Sequence, residues 1–343
     1  MQHQVKEKNN MNKIVVVGAG TWGVAVSQLL TKNGHKVTIY CRNDAKAKKI
    51  AKERRYDKLP GLVLDKKALI SSDMQSSVQD KDVIIYAVPS VGFREVVRDT
   101  LKYASGKEYF VTLTKGMEDK TLYTMSEVIV DEFKKHKIKN DKVVALSGPT
   151  HAEEVAICLP TMAVSASKNL KASKHIQDLF MNDVFRVYTN TDIKGVEICA
   201  AFKNVIAIVS GILSGLGYGD NMKAATLTRG LVEMVRVGKV FNCKKDTFYG
   251  LAGVGDMIVT ATSIHSRNYC FGKLIGEGVD VEKAIKKIGM VVEGYNFIPK
   301  AMQIKHKYKL ELPITTGTYE IIFNRKNPKE IASLLMKRRR KSE

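Results

Sequence analysis

The chain has 343 residues, 44% of them hydrophobic, and carries 56 lysines and arginines against 35 aspartates and glutamates, a formal net charge of +21. That length exceeds one ordinary hydrophobic core, so two domains are expected in a globular protein. The cationic excess is spread along the chain and not gathered into an aromatic-interleaved patch, so it reads as a lysine-rich solvated surface that attracts small anions, and no nucleic-acid partner is expected.

The first ten residues, MQHQVKEKNN, are polar and lack the apolar core of a secretory signal, so folded structure is expected from Met11. Cys41, Cys158, Cys199, Cys243 and Cys270 show no paired spacing and lie mostly in apolar segments. Reduced thiols in a cytoplasmic setting follow, with neither a disulfide framework nor a metal site.

The run KIVVV at 13–17 predicts a strand buried on both faces, and GAGTWG follows it, placing Gly18, Gly20 and Gly23 at the spacing of a dinucleotide-binding turn. The first glycine permits the tight turn, the second lets backbone approach a pyrophosphate, and the third lets helix pack on strand. Residues 24–30 read as the helix, stopped at Asn33 and Gly34. Its N-terminus supplies free N–H groups and the positive end of a dipole.

Further β-branched runs at 36–40, 82–88, 109–114 and 142–146 alternate with charged helical stretches, and runs at 161–165 and 184–188 extend the series. This βαβ rhythm argues for a parallel sheet. The second strand ends in Tyr40, Cys41 and Arg42, where an NAD site usually has an acid for the ribose hydroxyls. Arg42 suits a 2′-phosphate, so NADPH is favoured with NADH tolerated. At later strand ends stand Lys115 and the turn Ser147-Gly148-Pro149-Thr150, with Thr150 a candidate helix cap. Ligands of open parallel sheets bind at such ends.

From about residue 195 the texture turns helical, with 3.6-residue periodicity at 196–213, 224–238, 280–288 and 295–306. The predicted architecture is an α/β Rossmann-like N-terminal domain over 11–194 and an all-α C-terminal domain over 195–343. Residues 196–217 are long and apolar, but a lysine at a bilayer centre costs roughly 2.5 to 3.5 kcal/mol. Glu197, Lys203 and Asn204 therefore point to a core helix without integral membrane association. The basic run at 337–341 reads as a helix end whose cations suit the dipole.

Lys203 stands out because an ammonium in an apolar helix must snorkel, pair or work. Burial lowers its pKa and a neighbouring carboxylate restores it, the balance that tunes a general acid. Asp256, at the end of GLAGVGD, is the candidate partner. Ser266, Arg267 and Asn268 add three polar donors in a row, with arginine suited to phosphate.

GAGTWG, TKGM at 114–117, SGPTHAEEV from Ser147, KNVIAI from Lys203, TRGLVEM from Thr228, GLAGVGD, SRN and VVEGY from Val291 together closely resemble the bacterial type of NAD(P)-dependent glycerol-3-phosphate dehydrogenase, over residues 12–341. The resemblance implies interconversion of dihydroxyacetone phosphate and sn-glycerol 3-phosphate, supplying glycerophospholipid synthesis, with no metal required. It makes Lys203 the catalytic acid/base, and Lys115, Gly148, Thr150, Asn204, Asp256 and Thr260 substrate contacts. Ser266, Arg267 and Asn268 become the phosphate clamp. The cofactor, NADP or NAD, would be held by Gly18, Gly20, Thr21, Trp22, Gly23, Arg42, Lys115, Ala152, Arg267, Val291 and Glu293. A cytoplasmic homodimer is expected.

Two other readings compete with this pattern. Another lysine-dependent β-hydroxyacid dehydrogenase shares the layout but is disfavoured by SGPT and by GLAGVGD with SRN. A non-catalytic nucleotide-binding protein fits the charge but leaves Lys203 and the clamp without a purpose.

Overall fold

A computed structural model describes residues 11–340 and 342. The N-terminal stretch 1–10 and Lys341 of the basic run, on which two of the expectations above fall, lie outside the described residues. The strands are β1 Lys13–Val17, β2 Lys36–Tyr40, β3 Leu69–Ser71, β4 Val83–Tyr86, β5 Tyr109–Thr112, β6 Val143–Ser147, β7 Thr161–Ala166 and β8 Phe185–Asn190. Between them run α1 Thr21–Lys32, α2 Asp44–Glu53, α3 Met74–Val78, α4 Phe93–Leu101, α5 Met125–Lys135, α6 Ala152–Ala156 and α7 Leu170–Phe180. After β8 the elements are helical: α8 Ile193–Gly215, α9 Asp220–Val240, α10 Lys245–Tyr249, a π-helical turn Leu251–Gly255, α11 Asp256–Thr262, α12 Arg267–Gly276, α13 Val281–Ile288, α14 Glu293–Lys307, α15 Pro313–Ile322 and α16 Pro328–Met336.

The strands form one sheet in the order β3-β2-β1-β4-β5-β6-β7-β8 among the described residues. Val15, Val16, Ile84, Ile85 and Val111 are fully buried, as a sheet covered on both faces by helices requires. The order reverses between β1 and β4, and the register pairs Val17 with both Tyr40 and Tyr86, so the carboxyl ends of these strands share one edge. That crevice is where a doubly wound sheet receives its ligand.

Two features depart from the sequence reading. The sheet is not wholly parallel, since β7 runs antiparallel to β6. A β-branched run reads the same in either direction, so periodicity carries no orientation. The short β3 escaped because Leu69 is exposed at a sheet edge, without the apolar alternation that marks a strand.

The helical half is built around α8. Its 23 residues are apolar enough to span a membrane, yet 94% of its most apolar window is buried inside the protein. Asp192 caps it, accepting from the Gly195 N–H at 3.0 Å. Gly272 of α12 and Gly211 of α8 let these helices approach backbone to backbone. A Cβ on Gly272 would sit 2.0 Å from the Ile208 carbonyl oxygen, and one on Gly211 would sit 2.1 Å from that of Tyr269. Glu197 of α8 reaches the other half, accepting from the Ser126 N–H at 2.8 Å at the start of α5.

Helices α10 to α12 and α15 were not foreseen, and of α16 only its basic end at Lys337 was read from the sequence. GLAGVGD and SRN have loop composition, whereas Pro313 and Pro328 stand in the first turn of α15 and α16, where proline costs no hydrogen bond.

Gly272→Ala is expected to destabilise the protein by about 1 to 3 kcal/mol, the usual cost of forcing volume into a packed core. A thermal melt checks this, and an unchanged midpoint would mean α8 and α12 have room to spare.

Candidate active site

The carboxyl edge of the sheet faces the helical half across a cavity of about 410 Å³. At its floor lies Asp256, 1% exposed, first residue of α11. The π-helical turn before it, closed by the Gly255 N–H on the Gly250 carbonyl at 3.2 Å, re-aims the chain so that Asp256 and Thr260, one turn apart, face the same side.

Asp256 is held by lysines from both halves of the protein. Lys203, 4% exposed in the middle of α8, pairs with one carboxylate oxygen and donates to the Thr260 hydroxyl at 2.6 Å. That hydroxyl in turn donates to the Asp256 carbonyl at 2.6 Å. Lys115, beyond the end of β5, reaches the second carboxylate oxygen at 2.8 Å and the Gly148 carbonyl at 3.3 Å. Ser147 adds a long hydroxyl contact to the same oxygen at 3.4 Å.

Two ammonium groups on one buried carboxylate leave a surplus positive charge facing the cavity. Burial pulls the pKa of Lys203 down, Asp256 pulls it back up and Lys115 pushes it down again, leaving it at about 7. Burial pushes Asp256 up, but Lys115 and then Lys203 outweigh it and hold the carboxyl below the usual carboxylate range. Asp256 therefore stays ionised while Lys203 is poised to exchange a proton near neutrality.

Gly20, Thr21, Trp22, Lys115, Thr150, Ala152, Lys203, Asn204, Asp256, Thr260, Ser266, Arg267, Asn268, Val291 and Glu293 all line this cavity. Gly18 and Gly23 support it from behind. Gly18 has φ +120° and its Cβ would meet the Ala87 carbonyl oxygen at 2.5 Å, while a Cβ on Gly23 would lie 2.0 Å from the Gly18 carbonyl oxygen. Gly148 contributes its carbonyl to Lys115. Thr150 is not the helix cap: His151 precedes α6, and the Thr150 hydroxyl donates to the Gly148 carbonyl at 3.1 Å. Arg42 is exposed beyond the end of β2 and stands outside the cavity lining.

The N-termini of α1 and α12 both open here. In α1 no side chain caps the first N–H groups and no acid stands in the first turn, so the turn fits the pyrophosphate of a dinucleotide. Ser266 caps α12, accepting from the Tyr269 N–H at 3.2 Å, and Arg267 donates to the Val291 carbonyl at 2.9 Å. Asn268 is a joint as much as a donor: its amide donates to Asn204 at 3.0 Å and accepts from the Gly294 N–H at 2.9 Å. Glu293 accepts from the Ser90 N–H at 3.1 Å and the Ser90 hydroxyl at 2.6 Å.

Lys58, His151 and His265 also line the cavity and were not singled out from the sequence. His151 lies inside SGPTHAEEV. Burial lowers its pKa, a bond to the Val259 carbonyl opposes this, and Lys203 lowers it further. Lys58 sits on an irregular loop whose composition carries no signal.

The family model for the N-terminus of NAD-dependent glycerol-3-phosphate dehydrogenase matches residues 13–173, and that for its C-terminus matches residues 192–333. The chain is 46% identical to glycerol-3-phosphate dehydrogenase (NAD(P)+) 2 of Lactobacillus delbrueckii subsp. bulgaricus, over 97% of this chain and 99% of that protein. It is 44% identical to glycerol-3-phosphate dehydrogenase (NAD(P)+) of Bacillus cereus, over 97% and 98%. The crystal structure of glycerol-3-phosphate dehydrogenase from Coxiella burnetii superposes with a TM-score of 0.90 at 33% identity, covering 96% of this chain and 99% of that one.

The rate of Lys203 acetylation by acetic anhydride, followed by mass spectrometry of its peptide, is expected to rise with pH around a midpoint of about 7. Asp256→Asn removes the charge that favours the ammonium and should lower that midpoint. A midpoint at the ordinary lysine value would show that the site does not desolvate Lys203.

Proposed function

Because the chain belongs to the NAD-dependent glycerol-3-phosphate dehydrogenase family, we infer that it is an oxidoreductase that reduces dihydroxyacetone phosphate to sn-glycerol 3-phosphate with NAD(P)H and so serves glycerophospholipid synthesis. The observation that carries the residue assignment is the buried Lys203, sharing Asp256 with Lys115 in a cavity onto which two helix N-termini open.

In this reading Lys203 is the catalytic acid. The nicotinamide, when bound, supplies the hydride to substrate C2. Lys203 donates its proton to the carbonyl oxygen, and its charge stabilises the alkoxide as it develops. In the reverse direction neutral Lys203 takes the proton from the alcohol. Asp256 and Thr260 hold the Lys203 amine in place, and Lys115, Gly148, Thr150 and Asn204 complete the substrate pocket. Ser266, Arg267 and Asn268 take the substrate phosphate at the start of α12, where guanidinium, helix dipole and free N–H groups act together.

Gly18, Gly20, Thr21, Trp22 and Gly23 shape the pyrophosphate turn, and Lys115, Ala152, Arg267, Val291 and Glu293 line the rest of the cofactor's path. Arg42 follows the strand that ordinarily ends in a ribose-binding acid. Nearby Asp44 heads α2, where it pairs with Lys48 at 2.7 Å and accepts from Ser72 at 2.6 Å. That leaves a cation available for a 2′-phosphate and supports the preference for NADPH. We assign residues 11–194 to the dinucleotide-binding domain and 195–343 to the substrate-binding domain. The protein is read as a cytoplasmic homodimer without integral membrane association, consistent with its five free cysteines and with the burial of α8 in the core.

Oxidation of NADPH, followed by absorbance, should depend on dihydroxyacetone phosphate; cofactor binding without substrate-dependent turnover would overturn the reading. Lys203→Ala should lower kcat by about 100-fold or more, the scale of lost general-acid catalysis, while cofactor affinity is retained. Because reduction needs the ammonium, kcat/KM for dihydroxyacetone phosphate should fall as pH rises above about 7, and oxidation of glycerol 3-phosphate should show the opposite slope. A higher kcat/KM with NADH than with NADPH would refute the role given to Arg42.

A further inference from the structure

The loop after Lys115 is stitched alternately to the two halves of the protein. Met117 is 1% exposed and belongs to the same buried cluster as Phe202 and Phe297 in the helical half. Glu118 turns the other way, taking a two-pronged ion pair from Arg94 of α4 at 2.6 and 2.7 Å. Asp119 turns back, and its carboxylate meets Lys300 of α14 at 2.8 Å.

Lys300 is the unusual partner. Its side chain is 3% exposed while that of Asp119 is 70% exposed, and its other bond goes to the Asn296 carbonyl at 3.1 Å. An apolar side chain would fill such a position at less cost than a buried ammonium. Stability therefore does not account for it, whereas location does. Glu293, Phe297 and Lys300 recur at i, i+4 and i+7 on one face of α14. Glu293 holds Ser90, beyond the end of β4. Phe297 abuts Phe202, the residue before Lys203, with ring centroids 4.8 Å apart. Lys300 holds the loop that carries Lys115.

We propose that Lys300 is a positioning residue that, through Asp119, holds Lys115 against Asp256 and so keeps two ammonium groups on one carboxylate. The proposal rests on the reading of Lys203 as the proton donor. The charged and titratable groups facing Lys203 are Asp256 from α11, Lys115 from the loop after β5, and His151 at the start of α6. Releasing Lys115 removes a like charge and leaves Asp256 to Lys203 alone, so Lys203 binds its proton more tightly.

The test compares Asp119→Asn, a surface change that leaves the core intact, with Lys300→Met. Both should raise KM for dihydroxyacetone phosphate several-fold. Both should also move the midpoint of Lys203 acetylation upward by about half to one pH unit, a three- to tenfold change in proton affinity. Cofactor affinity, read by quenching of Trp22, the single tryptophan, should change less than twofold. In a Lys115→Met background, Asp119→Asn should shift the midpoint no further. An unshifted midpoint in Asp119→Asn, or an equal shift with and without Lys115, overturns the proposal. If Lys300→Met does not fold, Asp119→Asn decides alone. Because acetylation needs no turnover, a protein that fails to reduce dihydroxyacetone phosphate would refute the assigned activity while leaving the positioning role open to this measurement.

Discussion

One buried carboxylate organises this molecule. Asp256 accepts a lysine from the helical half and another from the loop beyond β5, so it is at once the electrostatic centre of the site and the seam between the halves. A lone carboxylate at 1% exposure would be driven towards its neutral form, and a lone ammonium at 4% exposure would shed its proton. Together the carboxylate stays ionised and the ammonium regains part of the proton affinity that burial removes, while the second lysine leaves Lys203 less tightly protonated than a simple ion pair would. The acid/base role proposed for Lys203 rests on that imbalance.

The rest of the structure keeps these three side chains in register. Lys203 is immobilised because α8 is enclosed, packed through Gly211 and Gly272 so closely against α12 that no side chain intervenes. Asp256 is aimed by a π-helical turn in which Gly253 tolerates a contact that a Cβ would forbid, since a Cβ there would fall 2.0 Å from the Phe248 carbonyl oxygen. Asn268 joins Asn204, the neighbour of Lys203, to the start of α14, so α8, α12 and α14 meet at the end of the cavity lined by Ser266 and Arg267. A shift in any one of these helices would be felt at the other two.

Much of this was legible in the chain. The run KIVVV followed by GAGTWG announced a strand, a tight turn and a helix because each glycine answers a local steric demand that its neighbours make evident. Lys203 drew attention because a charge amid isoleucines and alanines is costly wherever that helix packs, and Asp256 was named as its partner from the glycine-rich stretch before it. Less was visible where local composition and final environment disagree. GLAGVGD and SRN look like loops yet form helical turns, since tertiary packing overrides weak intrinsic propensity. The antiparallel β7 left no trace because side-chain alternation is blind to strand direction. Thr150 looked like a cap, but the chain turns one residue later.

The residue pattern alone therefore fixed the α/β-then-helical order and the glycine turn between β1 and α1, and it singled out Lys203 with Asp256 as its partner, each a consequence of interactions between near neighbours or of the cost of an isolated charge. Tertiary structure decided that Lys115 and Lys203 share a carboxylate, that Glu293 spends both oxygens on Ser90, and that a buried lysine 97 positions beyond Lys203 grips the loop after Lys115. Those are contacts between residues far apart in the chain, and their distances, burial and proton affinities exist only once the two halves have closed on one another.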